Sequence, residues 1–124
     1  MTAYLKALMA LFSQAGLPVY LADQVPQGVD FPCAVCECEL PVFAGNAALT
    51  LTGWFLSEHS AADCAAFLDR MAELLPESGL RLETDLGPCV LYRRNPFISL
   101  TEKDGVTGGQ VHLTVRCYFT EGGD

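Results

Sequence analysis

The chain is short of positive charge: seven Lys and Arg face fifteen Asp and Glu, for a formal net charge of −8 over 124 residues. Such a surface repels phosphate backbones and anionic bilayers, which argues against sequence-specific nucleic-acid binding and against electrostatic membrane attachment. No run of about 18 apolar residues occurs, so a transmembrane helix is excluded. Histidine is scarce, with His59 and His112 alone, and neither has a nucleophile placed beside it by the sequence. Gly108-Gly109 lacks the Lys-Ser/Thr of a phosphate loop and the context of a dinucleotide-binding turn. It reads as loop punctuation before the last strand.

About half of the residues are hydrophobic, and a chain of this length buries roughly two thirds of its unfolded surface without metal or disulfide staples. Residues 1–124 are therefore expected to form one domain, with no repeat, low-complexity tract or linker. The opening MTAYLKALMALFSQAG has a single lysine, a polar Ser13-Gln14 interruption and helical periodicity, so it reads as a structural helix rather than a signal peptide. On that reading the product is cytoplasmic, and its six cysteines are free thiols that behave as small buried hydrophobes.

Apolar residues at three- and four-residue spacing (Tyr4, Leu5, Leu8, Met9, Leu11, Phe12) predict a helix over 3–15, stopped by Gly16 and Leu17-Pro18. A second helix is expected from Ser60, where Ser60 and Asp63 resemble a capping box. Its stripe is Cys64, Phe67, Leu68, Met71, Leu74 and Leu75, ended by Pro76 and Gly79. Elsewhere the period is two, giving strands at 17–22, 33–40, 47–57, 80–85, 88–94 and 110–120. Only one helix is available as a crossover between strands, so the expected fold class is α+β: a mostly antiparallel sheet with both helices on one face. In 47–55 and 111–119 the odd positions form the core face. The even positions Thr50, Thr52, His112, Thr114 and Arg116 make the other face polar, yet it also carries Trp54 and Tyr118, large rings that a lone domain has little reason to display.

CAVCECE, residues 33–39, concentrates three thiols. On a strand, Cys33 and Cys36 face opposite ways, the segment has no turn residue to fold two sulfurs onto one ion, and no second ligand pair stands at suitable spacing. A redox pair would need a helix start, and Cys36 and Cys38 on one face lie about 7 Å apart, beyond disulfide reach. His112 and Cys117 fall on opposite faces and make no dyad. Glu37 and Glu39 share a face as solvated carboxylates or partners of Arg116. No catalytic, cofactor or metal-binding residue is assigned.

One segment exceeds ordinary expectation. Residues 95–109, NPFISLTEKDGVTGG, read as a long connection, and loops of that length are usually functional or disordered, a flexible surface loop being the plain alternative. Its root carries Phe97, Ile98 and Leu100, suited to a partner's apolar surface, and the preceding Arg93-Arg94 suit carboxylates on an acidic neighbour. With Trp54, Arg116 and Tyr118 on the polar sheet face, these residues form the expected subunit or partner interface.

FPCAVCECELP, ALTLTGWFLSEHSAADCAAFLDRMAELL, LYRRNPF and VHLTVRCYF together resemble the tail terminator or tail-completion proteins of tailed bacteriophages and prophages, a group that includes head-to-tail joining proteins. In that family an N-terminal helix precedes a Phe-Pro and a strand, here Phe31-Pro32. A long strand then ends in a W-x-x-S segment, here Trp54 to Ser57, and an alanine-bearing helix follows, here Ser60 to Leu75. The resemblance implies an α+β subunit without catalysis or cofactor. It implies a homo-oligomeric ring, typically a hexamer, that caps the tail tube and joins it to the head connector. It places the protein in the virion, after assembly in the host bacterial cytoplasm. A neck adaptor or minor capsid protein of the same fold, and a small ligand- or peptide-binding module with a pocket between helices and sheet, are the alternatives.

Overall fold

A computed structural model describes residues 2–38, 45–56 and 60–118. The amphipathic first helix, α1 (Thr2–Phe12), tightens into a 3-10 turn over Ser13–Ala15. Gly16 then stops it in the left-handed region at φ 88°, donating its N–H to the Ser13 carbonyl. The chain continues through β1 (Val19–Leu21), β2 (Cys33–Cys38), β3 (Gly45–Phe55), α2 (Ser60–Leu74), β4 (Leu80–Thr84), β5 (Gly87–Lys103) and β6 (Val106–Cys117). The strands form one six-stranded sheet in the order β1-β2-β3-β6-β5-β4, antiparallel throughout except for the parallel β1–β2 pair.

Both helices lie on one face, as the alternation requires. Tyr4, Leu8, Leu11 and Phe12 of α1 and Cys64, Phe67, Leu68 and Met71 of α2 are buried against Leu49, Leu51, Leu91, Val111, Leu113 and Val115 of the sheet. Each large side chain contributes on the order of 1.5–3 kcal/mol by leaving water. The approach of α2 is set by a pair of glycines directly opposite each other, Gly53 on β3 and Gly109 on β6. A Cβ at 53 would stand 2.7 Å from the Phe67 ring, and one at 109 would stand 2.8 Å from the Cys64 sulfur. Gly109 is thus a strand residue that seats a helix, not loop punctuation. Ser60 Oγ, 3.3 Å from Thr107 Oγ1, ties the start of α2 to β6, and Arg70 donates to the Ala15 carbonyl at 3.1 Å, joining the two helices.

Two expectations change. Residues 95–109 are not a loop: β5 runs through to Lys103, reverses at Asp104-Gly105, and β6 begins at Val106. Both turn residues have positive φ, 52° and 78°, as a two-residue hairpin turn requires. The stretch between Arg93 and Ile98 is a β-bulge in the β5–β6 register. Pro96 sits there because proline cannot donate to a ladder. The second change follows from the parallel β1–β2 pair. Parallel neighbours need a crossover, and residues 22–32 make it across the face opposite the helices. That is why Cys33, placed by alternation on the outer face, is nonetheless only 1% exposed.

Candidate functional site

The longest unpaired feature is the edge of β5. β4 pairs only with Gly87–Leu91, so among the described residues β5 from Tyr92 to Lys103 has β6 on one side and no strand on the other. At about 3.4 Å per residue this leaves a ribbon edge of roughly 30–40 Å with free N–H and C=O groups. Its register fixes which side chains flank it. Ile98 lies opposite Val111 and Leu100 opposite Gly109, on the helix-bearing face. These two are 44% and 70% exposed, Leu100 being the most exposed large hydrophobic residue described. Ser99, Thr101 and Lys103 point to the other face.

The eight interface residues expected from the sequence therefore separate. Ile98, Leu100 and the exposed Arg94 stand on the free edge. Arg93, one residue earlier, is turned inward. Its Nε donates to the Leu75 carbonyl at 2.7 Å and an Nη to the Ala72 carbonyl at 3.1 Å, while its guanidinium lies 4.2 Å from the centre of the Phe97 ring. A cation on the last carbonyls of a helix satisfies acceptors that have no partner within the helix and complements the dipole. Arg93 thus binds the end of α2, and Phe97 packs against the core beside it. Arg116 and Tyr118 remain outside on β6 and just beyond it, the guanidinium 5.2 Å from the Tyr118 ring and 3.5 Å from Asn46 Oδ1. Its partner is therefore Asn46, and Glu37 stands opposite Thr50. Glu39 and His59 lie outside the described residues.

Trp54 is half-buried rather than displayed. Its indole crosses Gly108, where a Cβ would stand 2.8 Å from the ring, and the 22–32 crossover closes over it. Val25, Val29, Phe31, Cys33, Trp54 and Val106 line the resulting cleft of about 440 Å³, whose rim carries Lys103 and Asp104 of the hairpin turn. A second hollow of about 300 Å³ lies at the margin between α2 and the sheet, with Asp63 and Arg70 on its wall.

Beside the cleft, polar groups on three strands connect. Ser99 Oγ donates to Gln110 Oε1 at 3.0 Å and lies 2.8 Å from His112 Nε2, while His112 Nδ1 is 3.5 Å from Thr50 Oγ1. A serine has one proton. With that proton on Gln110, the contact to Ser99 requires Nε2–H as the donor. The imidazole is then a spacer between hydroxyls, not a base acting on Ser99. Sequence reading missed this row because its members come from three strands whose register only the fold supplies.

Five of the six thiols are held protonated by their surroundings. Burial pushes Cys36 up to about 12, with Cys38 and Glu37 adding to it, and Cys89 up to about 11, with Cys117 and Glu83 adding. Burial also raises Cys33, Cys64 and Cys117. Disfavouring the thiolate makes a sulfur a poor nucleophile and a poor metal ligand. Among the described residues no cluster of three or more His, Cys, Asp or Glu is placed to hold a metal ion. No described helix is long and apolar enough to cross a membrane. The sequence matches no protein-family model and no curated protein.

Proposed function

We propose that the chain is a structural subunit of a tailed-phage or prophage tail, of the terminator or completion type. In this reading it closes into a homo-oligomeric ring, six-membered in the family it resembles, and sits in the virion between tail tube and head connector. The observation that carries the reading is the free edge of β5 with Ile98 and Leu100 exposed beside it. An unpaired strand edge is a template for main-chain pairing with another chain, and apolar groups flanking it add affinity and register. When the patch it meets on the neighbour differs from itself, the contact is head-to-tail, and a rotation between neighbours that closes makes it a ring. The acidic surface, multiplied around such a ring, would keep DNA from adhering to the lumen.

Native mass measurement with electron microscopy of the purified protein, alone and mixed with tail tubes, tests this. Rings or capped tubes are expected, and Leu100→Lys should abolish them without changing the melting temperature. A protein that stays monomeric at high concentration and leaves tubes bare refutes the assignment. A second reading, a ligand- or peptide-binding module, is favoured by the apolar cleft beside Trp54. It requires the emission of the chain's only tryptophan to respond when apolar ligands are titrated, and a silent indole rules it out.

A further inference from the structure

Four of the cysteines sit without a cysteine opposite, but the sheet brings the other two together: Cys89 on β5 is the direct cross-strand partner of Cys117 on β6. The kind of pair matters. The Tyr118 N–H donates to the Pro88 carbonyl at 2.9 Å, which makes 88/118 a hydrogen-bonded position of the ladder. The next pair, 89/117, is therefore a non-hydrogen-bonded one, in which opposed Cα atoms approach to about 4.5 Å and the side chains stand close on one face. Disulfides span Cα separations of about 4.4–6.8 Å. Both side chains point to the helix-bearing face and both residues are fully buried. The ionised forms of the two sulfurs would repel each other, and both sulfurs lie near the Tyr4 hydroxyl of α1. By contrast, Cys33, Cys36 and Cys38 face Trp54, Leu51 and Leu49 across the β2–β3 ladder, and Cys64 lies on a helix.

We propose that Cys89 and Cys117 are a site of covalent modification, joined by an intramolecular cross-strand disulfide when the protein meets a small-molecule disulfide oxidant. The chemistry is exchange. One cysteine loses its proton and its sulfur attacks the oxidant's S–S bond, giving a mixed disulfide and one reduced small thiol. The second cysteine loses its proton and attacks the protein-bound sulfur of that mixed disulfide, forming the Cys89–Cys117 bond and releasing the second small thiol. Two protein thiols are oxidised, one disulfide is reduced, and the two protons end on the released thiols. Burial makes the first attack slow, so its rate follows opening at the strand end. Cys117 is the last residue of β6 and Tyr118 beyond it is exposed, so fraying there uncovers the sulfur. The bond would clamp the root of the β5–β6 hairpin and enclose the whole free edge from Tyr92 to Lys103.

The test incubates the full-length native protein with oxidised glutathione, blocks remaining thiols by alkylation and digests with trypsin. Cleavage after Arg81, Arg93 and Arg116 leaves Cys89 in peptide 82–93 and Cys117 in peptide 117–124. The expected result is a crosslink between those two peptides, an intact mass lower by two hydrogens, and four of the six cysteines still open to alkylation after unfolding. Dithiothreitol should reverse all three changes. Cys89→Val should give no crosslink, and Cys64→Ala, which leaves the pair intact, should give the wild-type crosslink. Recovery of all six cysteines as alkylated thiols, glutathione adducts that never resolve, or a crosslink joining any other pair would overturn the proposal.

Discussion

Arg93 and Arg94 are adjacent, equally charged and, to the sequence, equivalent; the fold predicts that they behave oppositely. Arg93→Ala removes two charge-assisted hydrogen bonds to the Leu75 and Ala72 carbonyls and a cation over Phe97, with the side chain 24% exposed. Its ion pair with Glu77, at 3.9 Å and with the glutamate 91% exposed, adds little. Hydrogen bonds to charged groups contribute about 1.5–3 kcal/mol each when buried. Water replaces part of that here, and the helix-end cation adds a fraction of a kcal/mol. A net loss of about 2 kcal/mol is expected, which for a domain of this size lowers the melting temperature by roughly 8 °C. Arg93→Lys should recover less than half, because an ammonium cannot reach two carbonyls and stack on a ring at once. Arg94→Ala should move the melting point by no more than about 1–2 °C, as exposed substitutions do. Thermal melts followed by far-ultraviolet circular dichroism read all three. If Arg94→Ala destabilises as much as Arg93→Ala, or if Arg93→Ala is silent, the assignment of Arg93 to the end of α2 is wrong.

Gly53→Ala and Gly109→Ala should each destabilise by about 1–3 kcal/mol, the usual overpacking penalty, since the added methyl meets Phe67 or Cys64 closer than 3 Å; urea titration checks this, and a neutral result means that α2 moves freely over the sheet. Gly108→Ala should shift the fluorescence of Trp54 with a smaller stability loss, because its methyl strikes the indole on the outer face; unchanged emission would place the ring elsewhere. Alkaline pH should unfold the protein. The thiols titrate near 9 when unfolded but near 12 at Cys36 and 11 at Cys89 when folded. Above pH 9 the native state holds protons that the unfolded state has lost, so stability is complete below that pH. It falls by about 1 kcal/mol per pH unit for each such thiol as pH rises toward 11–12. Cys36→Val should flatten that slope, and identical slopes in wild type and variant would refute the cause.

Much of the fold was legible because alternation and helical spacing are local properties. The two helices, the core face of β3 and β6 and the α+β class all follow from side-chain periodicity. What failed was non-local. Asp104-Gly105, directly after the alternation of Ile98, Leu100, Glu102 with Ser99, Thr101, Lys103, is a strong hairpin signal, but Pro96 and Gly108-Gly109 made the stretch look like a loop. The proline occupies a bulge on an edge, and each glycine makes room for a particular group, Trp54 or α2. Likewise the parallel β1–β2 pair could not be read from two short apolar runs, and with it went the crossover that covers Cys33 and half of Trp54. The Cys89–Cys117 contact and the Ser99–His112–Thr50 row exist only once register is known.

An unpaired strand edge of this length invites indiscriminate pairing, so what keeps β5 from aggregating also delimits what can bind it. The bulge between Arg93 and Ile98 breaks the ladder, and Pro96 removes a donor inside it. Arg94 sits at one end of the edge and Glu102, Lys103 and Asp104 at the other, all exposed, and charges at a sheet edge oppose stacking of flat, neutral strands. Between these blocks only Ile98 to Thr101 remains both regular and uncharged. A partner strand would therefore be short, about four residues. It would have to bring an apolar group to the helix-bearing side to cover Ile98 and Leu100, and a polar one to the side of Ser99 and Thr101. A flat hydrophobic strand covers the apolar face but sets further apolar groups against the polar side of Ser99 and Thr101, whereas an alternating strand matches both. Selectivity at this edge would thus come from the same two-residue period that builds the sheet.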